Sequence, residues 1–168
     1  MDIPDVERVI LSCQAVESRS AFKTLELTML LTPSWLVLAP FDRVKLRRIR
    51  EERAAEAKTE GLGLFQRLMR AAQAPFAMVD GYLDMTLAAV REELPTARVL
   101  GGRDIMAAEL RAGTEPSRFT ARTAGEPPHK LDLHMESGIV NLQIDGHTEF
   151  PALTRALRNI LGDRLNVM

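Results

Sequence analysis

The chain has 168 residues, 46% of them hydrophobic, enough for one substantial core or at most two small ones. Its 22 Lys and Arg against 23 Asp and Glu exclude a chain-wide field that would concentrate nucleic acid or an anionic membrane, so any such role needs a local patch. Neither a secretory signal nor a membrane-spanning window is visible, and with Cys13 the single cysteine no internal disulfide can form, so a cytoplasmic setting is expected.

Taken in chain order, Val6 to Val16 is rich in Val, Ile and Leu and reads as a strand. Leu25, Leu27, Met29 and Leu31 follow at period two, and Trp35 to Ala39 resumes after the Pro33-Ser34 break. Three strands joined by tight turns are expected, as an antiparallel meander. From Asp42 to Lys58 the composition turns to Arg, Glu and Ala, which favours helix. After Gly61 and Gly63, apolar residues recur every three or four positions at Leu62, Phe65, Leu68, Met69, Ala72, Phe76, Val79, Leu83, Leu87, Val90 and Leu94. This spacing predicts one apolar stripe along a helix, kinked or broken at Pro75.

Strand texture returns over Arg98 to Leu100, Asp104 to Arg111, Ser117 to Arg122, His129 to Glu136 and Ile139 to Asp145, with Ser137-Gly138 as a hairpin turn. An amphipathic helix from Thr148 to Leu161 closes the chain. Thr148 is placed to cap it, Pro151 sits in its first turn, and Gly162 suits the left-handed residue at its end.

Leu31-Thr32-Pro33-Ser34-Trp35-Leu36-Val37 resembles the strand-turn-strand signature of the bacterial branch of the pleckstrin-homology-like (PH and GRAM-like) domains. Asp104-Ile105, the hairpin from Lys130 to Asp145, and the closing Leu161-Gly162-Asp163-Arg164-Leu165 extend the resemblance. It implies an α+β fold: a seven-stranded antiparallel barrel capped by a C-terminal helix. Residues 1–38 and 98–168 would form that barrel and its helix, and 39–97 a helical insertion after the third strand, all within one domain.

Catalytic motifs are absent: no Gly-x-Ser-x-Gly elbow, P-loop, His-Glu-x-x-His or dinucleotide fingerprint occurs. His129 and His134 are five apart, so on one strand they point to opposite faces and cannot share a metal. Asp80 and Asp84 lie one helical turn apart, a spacing commoner for solvated carboxylates than for cation ligands. Cys13 reads as a buried thiol rather than a nucleophile, and Gly101-Gly102-Arg103 as a turn rather than a phosphate loop. No metal, cofactor or catalytic residue is expected.

Two features invite a functional reading. The run Arg43, Lys45, Arg47, Arg48, Arg50 and Arg53 is either a solvated helix face or a contact for anionic lipid head groups at a membrane surface. The stripe carries Phe65, Met69, Phe76, Val79 and Leu83 as a candidate partner face, unless the same residues simply pack on the barrel. The expectation is a non-enzymatic binding or scaffolding module, contacting a protein partner or a second copy through its insertion. Peripheral membrane binding through 43–53 is the alternative, and a small enzyme using Asp80, Asp84 or the histidines in a pocket between insertion and sheet a third.

Overall fold

A computed structural model of the chain describes residues 6–114 and 126–168; the expected strand from Ser117 to Arg122 lies outside them. Three strands, β1 (Leu11–Ser20), β2 (Lys23–Leu31) and β3 (Trp35–Pro40), form the expected meander. Four helices follow, α1 (Arg43–Thr59), α2 (Leu64–Ala72), α3 (Ala74–Asp80) and α4 (Leu87–Glu93). The chain then makes β4 (Arg98–Gly101), β5 (Ala107–Arg111), β6 (His129–Met135), β7 (Gly138–Ile144), α5 (Phe150–Leu161) and β8 (Leu165–Val167).

All eight strands belong to one sheet, in the order β4-β3-β2-β1-β7-β6-β5-β8, antiparallel except where β8 joins β5. Among the described residues the expected count of seven is thus corrected to eight. Leu165 follows a single 3₁₀ turn, Gly162–Arg164, which returns the chain along the free edge of β5. Six strand spacings would separate β4 from β5 in a flat sheet, about 29 Å. Only residues 102–106 connect them, with a reach of roughly 20 Å, so the sheet has to curl. The result is a half-barrel compatible with a PH-like arrangement.

α5 fills the concave side. Leu153, Ala156, Leu157, Ile160 and Leu161 are buried on it, against Leu36 and Leu38 of β3, Leu110 of β5 and Leu131 and Leu133 of β6, among others. The Nη1 of Arg164 donates to the carbonyls of Gly102 and Ile105, and its Nε to that of Leu161 at 3.2 Å, tying the end of α5 to the β4–β5 connection. Gly162 has φ 58° and supplies the left-handed residue expected there. Thr148 does not cap the helix. Its N–H bonds the Asp145 carbonyl at 3.0 Å within a turn, and Glu149 takes the capping position without a side-chain bond.

The convex side carries a second core: Leu30, Trp35, Val37 and Ala39 of β2 and β3 pack against Tyr82, Leu87, Val90 and Leu94 of the insertion. The single stripe expected over 62–94 is therefore divided. α2 ends at Ala72 before Pro75, in the first turn of α3, and residues 81–86 form a turn before α4.

That last turn is held by the N-terminal segment. Val9 N–H bonds the Met85 carbonyl at 2.9 Å, Asp84 N–H the Val9 carbonyl at 3.0 Å, and Leu87 N–H the Glu7 carbonyl at 2.8 Å. β1 consequently starts at Leu11 rather than Val6, and Asp84 is held at φ 64°, a left-handed conformation costly for a non-glycine residue. Glu7 also accepts from the Thr32 hydroxyl at 2.6 Å and the Ser34 N–H at 3.0 Å, which organises the turn in the resemblance motif. Burial opposes the charge on Glu7, but these bonds outweigh it and lower its pKa.

A Cβ on Gly102 would run into the carbonyl oxygen of Ile160 and the Arg164 guanidinium. Gly102→Ala is expected to lower stability by about 1–3 kcal/mol in urea titration; an unchanged midpoint would show that this close approach is absent in solution.

Candidate functional site in the helical insertion

α1 begins at Asp42, whose carboxylate accepts from the Lys45 N–H at 2.8 Å and caps the helix. The six basic residues of its run do not share one face. Lys45 turns inward: its ammonium lies 4.2 Å from the centroid of the Tyr82 ring and pairs with Glu93. Burial alone would lower the Lys45 pKa, but Glu93 and the Tyr82 hydroxyl raise it above its usual value. It is thus withdrawn from the expected lipid-contact set. Arg48 meets Glu52 at 3.9 Å, and half-buried Arg53 makes no ion pair among the described residues. Arg43, Arg47 and Arg50 instead line a groove of about 480 Å³ with Glu26, Phe41 and Leu46.

The expected partner face is also divided. Val79 is 3% exposed and belongs to the packed base of the insertion, so it cannot serve as a contact. Phe76 is half-buried with its ring edge-on to His147, centroids 5.5 Å apart, and Leu83 lies beyond the α3 turn. Phe65 and Met69 remain outside at 75% and 50% exposure, joined by Leu64 at 76% and Leu68 at 61%. These four stand at i, i+1, i+4 and i+5 of α2, which has no buried residue. The 3.6-residue period located the stripe, but the series Leu62, Phe65, Leu68 passed over Leu64, although Leu64 stands four residues before Leu68 and shares its side of the helix.

A cleft of about 490 Å³ separates α3 from β1 and the β7–α5 loop. Of the polar residues picked out by sequence only Asp80 and Cys13 line it. Asp84 sits in the turn beyond α3, its carbonyl accepting from Arg8 at 2.8 Å. His129 is buried between the Gly113 N–H at 3.0 Å and the Thr148 carbonyl at 2.8 Å, while His134 alternates to the other side of β6. The cleft adds Asp145, His147 and Glu149, which periodicity cannot single out because they sit in an irregular loop. No three His, Cys, Asp or Glu side chains among the described residues are grouped to hold a metal ion. The Gly101-Gly102-Arg103 segment is a turn, its Gly101 N–H bonded to the Asp104 carboxylate at 2.6 Å.

Burial pushes the Cys13 thiol up to about 12, and burial likewise raises the Asp145 carboxyl against the pull of the His147 N–H.

No family model matches the chain, and no curated protein matches it. Among solved structures it is similar to the C-terminal domain of an unknown protein from Leishmania infantum, with 10% identity over 90% of this chain and 82% of that one and a TM-score of 0.39. It is also similar to the hSac2 domain of the human phosphoinositide phosphatase Sac2, with 13% identity over 99% of this chain and 79% of that one and a TM-score of 0.43. The functional reading therefore stands on this chain's own residues. No helix of the described residues is long and apolar enough to cross a membrane.

Two outcomes follow from the cleft. Between the usual aspartate value of 3.8 and its raised one, Asp145 holds a proton in the folded chain that the unfolded chain has released. Stability contributed by this group therefore falls as pH rises through that window. Asp145→Asn is expected to flatten that decline in pH-dependent urea denaturation; parallel curves for both proteins would contradict it. Native Cys13 is expected to resist iodoacetamide at mildly alkaline pH and to react only after denaturation, as read by mass spectrometry.

Proposed function

We propose that this chain is a non-enzymatic binding module, in which a PH-like half-barrel holds out an insertion that associates with protein through α2, in the first instance with a second copy. The observation that carries this reading is the outward face of Leu64, Phe65, Leu68 and Met69, all half exposed or more on one side of a single helix. Contiguous apolar surface of this kind marks interaction sites more often than chance, whereas single exposed apolar residues need no explanation.

The charged residues of α2 are already engaged within the chain. Arg67 donates through Nε to the Leu62 carbonyl at 2.7 Å, and Arg70 pairs with Glu60 at 2.8 Å. They anchor α2 to the end of α1 and leave the apolar side clear. A two-fold pairing suits such a face because each copy supplies the same four side chains, doubling the apolar area removed from water.

The cleft supports the non-catalytic side of the reading. Its thiol is held in the protonated form by burial, and the Asp145 carboxyl accepts the His147 backbone N–H at 3.0 Å.

Sedimentation velocity over a concentration series tests the proposal. The wild-type chain is expected to associate, and Phe65→Ser/Leu68→Ser to shift at least about tenfold in dissociation constant toward monomer, since each loses a buried apolar anchor. Because both positions are exposed in one copy, the variant's thermal midpoint should stay close to wild type. A wild-type chain that remains monomeric throughout would overturn self-association.

A further inference from the structure

The groove beside α1 is independent of the α2 face, and its chemistry is anionic recognition. Arg43, Arg47 and Arg50 occupy positions i, i+4 and i+7, which places three guanidinium groups along one side of the helix. That side opens on a recess of about 480 Å³ whose other walls are Phe41, Leu46 and Glu26 of β2. The volume falls in the range of small-ligand sites.

The charges are unevenly satisfied. Arg43 is held by Glu26 at 3.1 Å, while Arg47 and Arg50 are exposed and make no ion pair among the described residues. Arg47 has Glu51 one turn ahead, a spacing that permits an ion pair, yet the structure makes none there; the neighbouring Arg48 does pair with Glu52. Three positive groups against one carboxylate leave the lining with two uncompensated positive charges. Like charges one helical turn apart repel, and a bound anion would relieve that repulsion.

We infer that this groove is a binding site for a phosphomonoester group, with Arg47 and Arg50 as its clamp and Phe41 and Leu46 contacting the organic part of the ligand. A phosphomonoester carries close to two negative charges at neutral pH and offers three acceptor oxygens. Planar guanidinium forks engage such oxygens two at a time. A carboxylate would neutralise only one of the two charges. A nucleic acid strand requires a longer basic track than this recess provides. Arg43, fixed by Glu26, shapes the mouth of the groove and leaves the clamp to the other two.

The test is isothermal titration of the full chain with phenyl phosphate and with inorganic phosphate, alongside flotation with vesicles of phosphatidylcholine alone or containing phosphatidic acid. Phenyl phosphate is expected to bind more tightly than inorganic phosphate, because it also reaches Phe41 and Leu46. Arg47→Gln/Arg50→Gln should weaken it at least about tenfold, as loss of two charge-assisted contacts. Arg48→Gln/Lys58→Gln removes the same charge from α1 outside the groove and should leave binding unchanged. Flotation only with phosphatidic acid, lost in the groove variant, would identify the source as a lipid head group; binding of phenyl phosphate without flotation would identify a soluble phosphomonoester. Equal loss in both double variants, or no binding of any probe, would overturn the site. Both variants leave α2 intact, so their sedimentation behaviour keeps this outcome separate from that of self-association.

Discussion

Strands β2 and β3 bury both faces, and most of the molecule is arranged around that fact. From Leu27 to Leu31 and from Trp35 to Ala39 no side chain remains open to solvent. Alternating residues therefore need two partners, one on each side of the sheet. On the concave side Leu27, Met29, Leu31, Leu36 and Leu38 meet α5, while on the convex side Leu30, Val37 and Ala39 meet the insertion. Without its insertion the chain would expose a broad apolar sheet face to water, at roughly 25 cal/mol for each Å² uncovered. The C-terminal half of residues 39–97 is thus a second layer of the fold, although it interrupts the barrel sequence.

This requirement separates structural residues of the insertion from those free to do something else. Tyr82, Leu87 and Val90 are committed to the sheet, Met78 and Val79 are buried in α3, and Glu7 and Val9 pin the turn that follows α3. α1 rests on this base with Ala57 as its one fully buried residue and with Lys45 inserted beside Tyr82. α2 lies further out and buries none of its side chains. Among the described residues, an amphipathic helix on the outer layer of an already covered sheet does not reach a sheet face. Its apolar side faces outward for that reason.

The basic groove and the apolar face consequently occur on the same insertion but on different helices. One depends on charge and the other on area, so salt affects them differently: the guanidinium groups are screened, while apolar association is not weakened in that way. The half-barrel contributes position to both through β2, whose Glu26 holds Arg43 and whose end leads into β3 and then α1.

The local patterns of this sequence determined much of its fold. Period-two alternation in β2, the Ser137-Gly138 turn between β6 and β7, the Arg, Glu and Ala composition of α1 and the apolar spacing of α5 each depend on near neighbours, so they are readable without knowing what packs where. Gly162 was legible for the same reason. Only the tertiary structure decided the rest. β8 exists because a three-residue tail finds the open edge of β5, and the stripe from Leu62 to Leu94 is part core and part surface because only its second half reaches the sheet. The inward turn of Lys45 follows from Tyr82 and Glu93, both more than thirty residues away, and the meeting of Asp80 with Asp145 and His147 spans a similar or greater separation. Periodicity specifies which side of an element is apolar, but what covers that side depends on contacts between segments remote in sequence.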